Sequence, residues 1–329
     1  MTRDSGNVDR PPAIAIPRSL AARSRSAVPL VTALIGGCLA LFCSAVAAQP
    51  VSVTDDAGRT VTLPRPAQRI VAIAPSLAEM AFAAGAGSRV AGVARYSRLP
   101  PGTPALPEVG DAVSVDLERI VGLKPDLVLA WQSGNRTGDY ERLEQLGYAV
   151  FVAEPRRLDD IARALRAIGR LAGTAREAER AAADFQGGIR QLRERYAKAR
   201  RVRAFYAIWA RPYMTVSGAH TISDVIALCG GENVFADVAQ LTPTVSLEAI
   251  IAAKPEVILG GASAGGEKAF RREWRSSAPA PLNALPAYYV DPDAIQRQTP
   301  RMLEGAKVVC AALEQVRTNR QDARKTKAN

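Results

Sequence analysis

The chain has 329 residues, of which 48% are hydrophobic and 23% are charged, and its formal net charge is +11. This is the composition of a folded protein long enough for two domains, and it excludes disordered, collagen-like and small disulfide-rich chains. The chain has one histidine, His220, which excludes a histidine-rich zinc site. A Ser-His-Asp or Cys-His catalytic site would have to use this residue as its base. Because the sequence also has no P-loop, HExxH or CxxC motif, it favours a binding protein over an enzyme.

Residues 1–48 have the pattern of a secretory signal peptide. Five arginines and two aspartates precede an apolar run, Val28–Ala48, that ends in small residues. We predict export to the periplasm, with cleavage near Ala47 or Ala48. An uncleaved membrane anchor over the same run and lipidation of Cys38 remain alternatives. Cleavage leaves a formal charge of +8, interleaved with acids along helices, which indicates solvated faces and no nucleic-acid partner.

Two cysteines, Cys229 and Cys310, remain in the mature chain. An even pair in an oxidising compartment predicts one disulfide, and two buried free thiols are the alternative. The bond would close a loop of about 80 residues, which is worth on the order of 4 kcal/mol in the chain-entropy model.

The mature chain is predicted to form two α/β lobes. Short apolar strands alternate with helices, which is typical of mostly parallel sheets, and a hairpin with a glycine-containing turn precedes them. In chain order we predict a signal peptide over 1–48, a hairpin and linker over 49–66, an N-terminal α/β lobe over 67–172, a linking helix over 173–200, a C-terminal α/β lobe over 201–317 and a disordered basic tail over 318–329.

One long amphipathic helix is predicted to join the lobes. Apolar residues from Ala178 to Tyr196 recur at helical spacing, and Thr174 and Glu177 have the spacing of a capping box. A rigid helix in place of a flexible hinge predicts little closure of the lobes when a ligand binds.

The sequence contains an internal repeat. Segments 115–130 and 245–260 share seven of sixteen residues, and each predicts a short helix stopped by Lys-Pro and followed by a buried strand. Related lobes that face each other are a natural place for a ligand cleft. In both copies the apolar spacing turns a glutamate, Glu118 or Glu248, toward solvent. Each carboxylate alone could simply stabilise the first turn of its helix through the helix dipole. As a matched pair, one on each lobe, the two could instead bind a symmetric basic partner.

Aromatic and polar side chains fall where the predicted strands end. Ligands of open α/β sheets bind outside the carboxyl ends of the strands, so these residues predict a site for a large, flat, partly apolar ligand. The set comprises Tyr96, Trp131, Trp209, Tyr213, Asp291 and Arg297. His220 lies just before a predicted helix, where it is either a loop histidine or an axial ligand of haem iron. No other direct metal ligand is predicted.

These residues carry a resemblance to a known family. The blocks Leu117-Glu-Arg-Ile-Val, Lys124-Pro-Asp-Leu-Val and Cys229-Gly-Gly-Glu-Asn-Val-Phe235, together with Tyr96, Trp131 and Asn135, resemble the substrate-binding proteins of ABC importers for cobalamin, ferric siderophores and haem. The resemblance extends from about Ile70 to Cys310.

The resemblance implies a class III periplasmic-binding-protein fold, with the ligand between two lobes and no catalytic cofactor. It implies docking of Glu118 and Glu248 onto arginines of an inner-membrane permease dimer with its ATPase, and cobalamin as the transported ligand. The cobalamin-binding members have two further tryptophans where this chain has Val113 and Thr242. A variant corrinoid, haem and a ferric siderophore therefore remain alternatives, as does an exported enzyme or metallochaperone that uses the same cleft.

Overall fold

The computed structural model describes residues 49–261, 265–276 and 278–328. The predicted signal peptide, its cleavage site and Cys38 lie outside these residues. Across the described ranges, no helix combines the length and the apolar character needed to cross a bilayer. The described chain begins with the predicted hairpin, in which β1 (Val51–Thr54) pairs antiparallel with β2 (Thr60–Leu63).

The N-terminal lobe is a four-stranded parallel sheet in the order β4-β3-β5-β6, flanked by helices. Alternate strand residues enter apolar clusters on opposite faces of the sheet, so the strands are buried on both sides, as parallel strands usually are. The elements are β3 (Ile70–Ala72), α1 (Pro75–Ala83), β4 (Val90–Val93), α2 (Leu117–Leu123), β5 (Leu127–Trp131), α3 (Thr137–Gln145), β6 (Val150–Ala153) and α4 (Leu158–Ala172).

The C-terminal lobe repeats this plan with a parallel sheet in the order β10-β7-β11-β12. A small antiparallel pair, β8 with β9, follows its first strand. The elements are α5 (Ala175–Tyr196), β7 (Val202–Ala207), β8 (Trp209–Ala210), β9 (Tyr213–Met214), α6 (Thr221–Leu228), β10 (Gly231–Asn233), α7 (Leu247–Ala252), β11 (Val257–Gly260), α8 (Gly266–Ser276), β12 (Ala287–Tyr289), α9 (Pro292–Ile295) and α10 (Met302–Ala328), with α5 as the linking helix. The two α/β lobes with parallel sheets confirm the predicted fold class.

The sequence repeat is a structural repeat. Asp116 and Ser246 cap the starts of α2 and α7 by accepting a hydrogen bond from a backbone N–H three residues ahead. Lys124 and Lys254 both adopt a left-handed backbone, with φ of 48° and 47°. Each lysine lies directly before its proline, and α2 and α7 end two and three residues before that proline, as the Lys-Pro pattern predicts.

The equivalence extends beyond the aligned segments. Arg69 and Arg203 each donate hydrogen bonds from the guanidinium to carbonyl oxygens at the end of α2 or α7. Asp126 and Glu256 accept backbone N–H groups at the start of β3 or β7. Each lobe therefore orients its glutamate-bearing helix against its sheet with the same kind of contacts.

The linking helix α5 spans Ala175–Tyr196 and packs along α4. The capping box predicted at its start is wrong, because the Thr174 hydroxyl donates to the Ala84 carbonyl oxygen at 2.6 Å instead of capping the helix. Gly188 leaves room for Leu303 of α10, since a Cβ there would lie 2.3 Å from a Leu303 methyl carbon. The stiffness of α5 during ligand binding remains a prediction.

The predicted disordered tail is also wrong over 318–328. Helix α10 continues to Ala328 because the chain contains neither glycine nor proline beyond Gly305. Arg317 is buried and donates to the carbonyl oxygens of Cys229 and Gly230, and Arg320 pairs with Glu256. The helix is therefore attached to the C-terminal lobe past the predicted boundary.

Cys229 and Cys310 form the predicted disulfide, with their Cα atoms 4.7 Å apart and 81 residues apart in sequence. We expect the variant with both cysteines replaced by alanine to lose about 4 kcal/mol of unfolding free energy, because the open chain has more unfolded-state entropy. Urea denaturation measures this loss. Reductant should destabilise the wild type and leave the variant unchanged; equal reductant responses would contradict the expectation.

Candidate ligand-binding cleft

A cavity of about 290 Å³ lies between the lobes, at the carboxyl ends of both sheets. Trp131 ends β5, Glu154 follows β6 and Ile208 follows β7, so the strand ends supply its walls. The remaining polar wall is mostly neutral, with Ser133 from the N-terminal lobe and His220, Gln240, Thr242, Gln296 and Gln298 from the C-terminal lobe.

Trp131, one of the four predicted aromatic residues, lines this cavity, and neighbouring residues fix its position. Its backbone N–H donates to the Asn135 side-chain oxygen at 2.7 Å, while the Asn135 amide donates to the carbonyl oxygens of Ile73 and Ala112. The indole ring covers Gly134 so closely that a Cβ there would lie 1.8 Å from a ring carbon. Gly134 and Asn135 thus position Trp131.

The other predicted aromatics occupy different places. Tyr96 and Trp209 are 71% and 54% exposed, and neither lines the cavity. Tyr213 packs its ring on Trp274 of the C-terminal core, with the ring centroids 5.5 Å apart. Of the four aromatics that the sequence grouped, the structure therefore brings Trp131 alone to this wall.

Arg297 connects the lobes. It forms ion pairs with Glu79 of α1 and, at 2.9 Å, with Asp293 of α9, and it donates to the Tyr96 carbonyl oxygen at 3.0 Å. Arg98 of the N-terminal lobe pairs with Asp293 at 2.5 Å. Four charges of alternating sign, Glu79, Arg297, Asp293 and Arg98, therefore cross from one lobe to the other. We call them the inter-lobe ion pairs.

Neither Asp291 nor Arg297, which the sequence predicted as ligand contacts, lines the cavity, and the aspartate that pairs with Arg297 is Asp293. Asp291 accepts the Asp293 backbone N–H at 3.0 Å and caps α9. Both aspartates follow the same strand, and sequence alone does not distinguish the cap from the partner. Glu79 was also missed, because its position in α1 looks like an ordinary helix residue. Burial raises the pKa of the Glu79 carboxyl, although the ion pair with Arg297 opposes this shift.

A second contact joins the lobes near the linking helix. Asp224 of α6 accepts the Leu158 backbone N–H at 2.9 Å and pairs with Arg157 at 2.6 Å. Arg156, directly before Arg157, and His220, directly before α6, both line the cavity, so this contact borders the cavity. Charged groups at both contacts are thus paired with each other across the lobes.

His220 is buried at the cavity wall and caps α6. Its Nδ1 accepts the Ile222 backbone N–H at 3.1 Å, and the residue is 8% exposed. Burial lowers the pKa of His220 to about 4. Within the described ranges, no cluster of three or more His, Cys, Asp or Glu residues could hold a metal ion.

Glu118 and Glu248 are exposed in the first turns of α2 and α7. Hydrogen bonds from its own backbone N–H and from the Ser246 hydroxyl lower the pKa of Glu248. Ile120 and Ile250 supply the buried side of each helix, whereas Val121, although apolar, is exposed.

Comparisons with known proteins agree with this architecture. The sequence pattern of the periplasmic binding protein family matches residues 70–279, and this chain belongs to that family. This confirms the family predicted from the sequence.

Particular relatives can then be named. The vitamin B12-binding protein of Vibrio cholerae is 34% identical over 251 residues, covering 76% of this chain and 91% of that protein. The relative of the same name from Yersinia pestis is 34% identical over 260 residues, covering 78% and 91%. The crystal structure of the Vibrio cholerae protein superposes with a TM-score of 0.69 at 33% identity, covering 77% of this chain and 98% of that one. The heme-binding protein RhuT from Roseiflexus shares the fold, with a TM-score of 0.66 at 22% identity, covering 76% and 98%.

The buried state of His220 predicts an acid-sensitive contribution to stability. The unfolded chain binds a proton near pH 6.5 and the folded chain only near pH 4, so folding stability falls as the pH falls through this window. Between pH 7.5 and pH 5 we expect this group to cost about 2 kcal/mol. The loss should be absent from His220→Asn, which retains a helix-capping side chain. Parallel stability curves for the two proteins, measured by urea denaturation, would contradict the assignment.

Proposed function

We propose that the protein is an exported periplasmic receptor that binds cobalamin between its lobes and delivers it to an inner-membrane ABC importer. The observation that carries this proposal is the neutral polar wall of the cavity, formed by three glutamines, a serine and a threonine beside Trp131. Cobalamin presents neutral amides around a flat, largely apolar ring. Glutamine side chains both donate to and accept from amides, and an indole covers apolar ring surface. The 34% identity to proteins named for vitamin B12 binding supports the same ligand.

Haem and ferric siderophores are the alternatives within this function. Haem carries two propionate groups, and carboxylates are usually bound by arginine. Arg297 is already paired with Glu79 and Asp293, whereas Arg156 at the cavity wall is exposed. Arg156 is therefore available to one carboxylate, whereas Glu154 at the same wall would repel a second. The glutamines, the serine and the threonine outnumber these two charges and favour a ligand with neutral amides.

An exported enzyme or metallochaperone is the alternative of another class. A Gly-x-Ser-x-Gly spacing does occur over 261–265, but its serine lies outside the described residues. A serine nucleophile needs a base, and Nδ1 of the only histidine already accepts a backbone hydrogen bond. This arrangement favours binding over turnover.

Delivery is assigned to Glu118 and Glu248. One exposed carboxylate stands on each copy of the structural repeat, so the two lobes present equivalent acidic groups. A permease dimer with basic residues at equivalent positions is the complementary partner, and opposite charges across an interface determine its register and association rate.

The first test is calorimetric titration of the purified mature protein with cyanocobalamin, with haemin and a ferric hydroxamate as controls. We expect saturable one-to-one binding of cyanocobalamin, and Trp131→Ala should weaken it because the ligand ring loses its aromatic support. Binding of haemin or the hydroxamate in place of cyanocobalamin would retain the receptor and replace its ligand. Turnover of any of the three would favour the enzyme.

The second test is a double charge reversal, Glu118→Lys with Glu248→Lys. We expect cobalamin uptake by cells to be lost while the calorimetric Kd is unchanged, because both residues lie on the outer helices and not at the cavity. The matched control reverses Glu141 and Glu304, which are exposed helical glutamates, one in each lobe. Normal uptake with the first pair reversed would refute the docking assignment.

A further inference from the structure

The only histidine of the chain is placed at the ligand cavity with one edge of its ring already in use. His220 is the residue directly before α6, and its Nδ1 lies 3.1 Å from the Ile222 backbone nitrogen. A backbone N–H can only donate, so Nδ1 must accept through its lone pair. The proton of the neutral ring is therefore on Nε2.

His220 lines the cavity, and its Nε2 has accessible surface, since the buried unpaired side-chain atoms of the described chain belong to other residues. Among the residues that the structure describes, Nε2 has no hydrogen-bond partner, while Nδ1 contacts both the Ile222 N–H and, at 3.5 Å, the Thr221 hydroxyl. An accessible N–H donor without a protein partner is open to water or to an acceptor on a bound molecule.

We infer that His220 is a specificity-determining residue that donates its Nε2 proton to a carbonyl oxygen of the bound ligand, and that it is not an axial ligand of a metal. A nitrogen that carries a proton has no lone pair to give to cobalt or iron. Moving the proton to Nδ1 would place two donors face to face at the start of α6 and break the helix cap. The inference rests on the proposed function, since a corrinoid supplies the amide carbonyl groups that such a donor recognises.

The ring also stays neutral under the conditions in which it would act. Burial holds the pKa of His220 near 4, far below the pH of ordinary binding measurements. Gln296 and Gln298 lie at the same wall, so the donor belongs to a group of neutral hydrogen-bonding side chains suited to amides.

Two substitutions separate the two edges of the ring. The amide of an asparagine reaches about as far as Nδ1, so His220→Asn retains the cap and removes the donor. The amide of a glutamine reaches about as far as Nε2, so His220→Gln retains a donor and removes the cap. We expect the Kd for cyanocobalamin to rise about three- to tenfold in His220→Asn, with an unchanged Tm at neutral pH. In His220→Gln we expect the Kd to stay within about twofold while the Tm falls by about 2–4 °C.

The absorption spectrum of bound aquocobalamin tests the second half of the inference. Its water ligand is exchangeable, and replacement by imidazole changes the visible spectrum. We expect the same spectrum with wild type and His220→Asn. A shift that only the wild type produces would identify His220 as an axial ligand and overturn the inference.

The remaining outcomes separate this inference from the proposed function. Wild-type affinity in His220→Asn overturns the donor role and leaves cobalamin as the ligand. A wild-type protein that fails to bind cyanocobalamin overturns the proposed ligand, and the donor role falls with it. A raised Kd in His220→Asn together with a nearly unchanged Kd and a lowered Tm in His220→Gln supports both the donor role and cobalamin as the ligand.

Discussion

The cleft between the lobes depends on one apolar core that continues behind it from lobe to lobe. Strand residues such as Ile70 and Leu129 belong to the same buried cluster as Val202 and Leu259, and α4, α5, α6 and α10 connect them. Because this core is continuous, the carboxyl ends of both sheets face each other at a distance that side chains can span. Glu79 can then reach Arg297, and Asp224 can reach Arg157. The disulfide and the buried Arg317 attach α10 to the same core.

The inter-lobe charges are paired with one another, and the cavity beside them has one charge of each sign, Glu154 and Arg156, among neutral polar side chains. The inter-lobe ion pairs occupy Arg297 and Asp293, and Glu154 accepts the Ser133 backbone N–H at 2.9 Å. The cavity wall also presents glutamine, serine and threonine side chains, His220 and the exposed Arg156. A neutral polar wall beside an indole discriminates through hydrogen bonds, because an unmatched amide would leave buried donors without partners.

The sequence predicted much of the fold because its signals were local. The two copies of helix, Lys-Pro and strand are visible as a repeat, and the structure gives both the same caps and the same left-handed lysine. Two other local patterns misled: Thr174 has the spacing of a cap but donates to Ala84, and the basic C-terminal segment remains helical to Ala328. In the first case a tertiary acceptor competed for the hydroxyl. In the second, the absence of glycine and proline beyond Gly305 outweighs the basic, polar composition of the segment.

The sequence by itself determined the two-lobe plan, the outward glutamates and a set of strand-end aromatics that includes Trp131, because periodicity and strand ends are properties of neighbouring residues. Tertiary structure alone decided which charges meet. Glu79 and Arg297 are separated by 218 positions, and Asp293 differs from Asp291 only in which of them faces Arg297. The tautomer of His220 is likewise determined by a hydrogen bond that forms on folding, and the position of the Trp131 ring by its packing on Gly134. Such pairings carry no period in the sequence, because they arise only when the shared core brings the loops of the two lobes together.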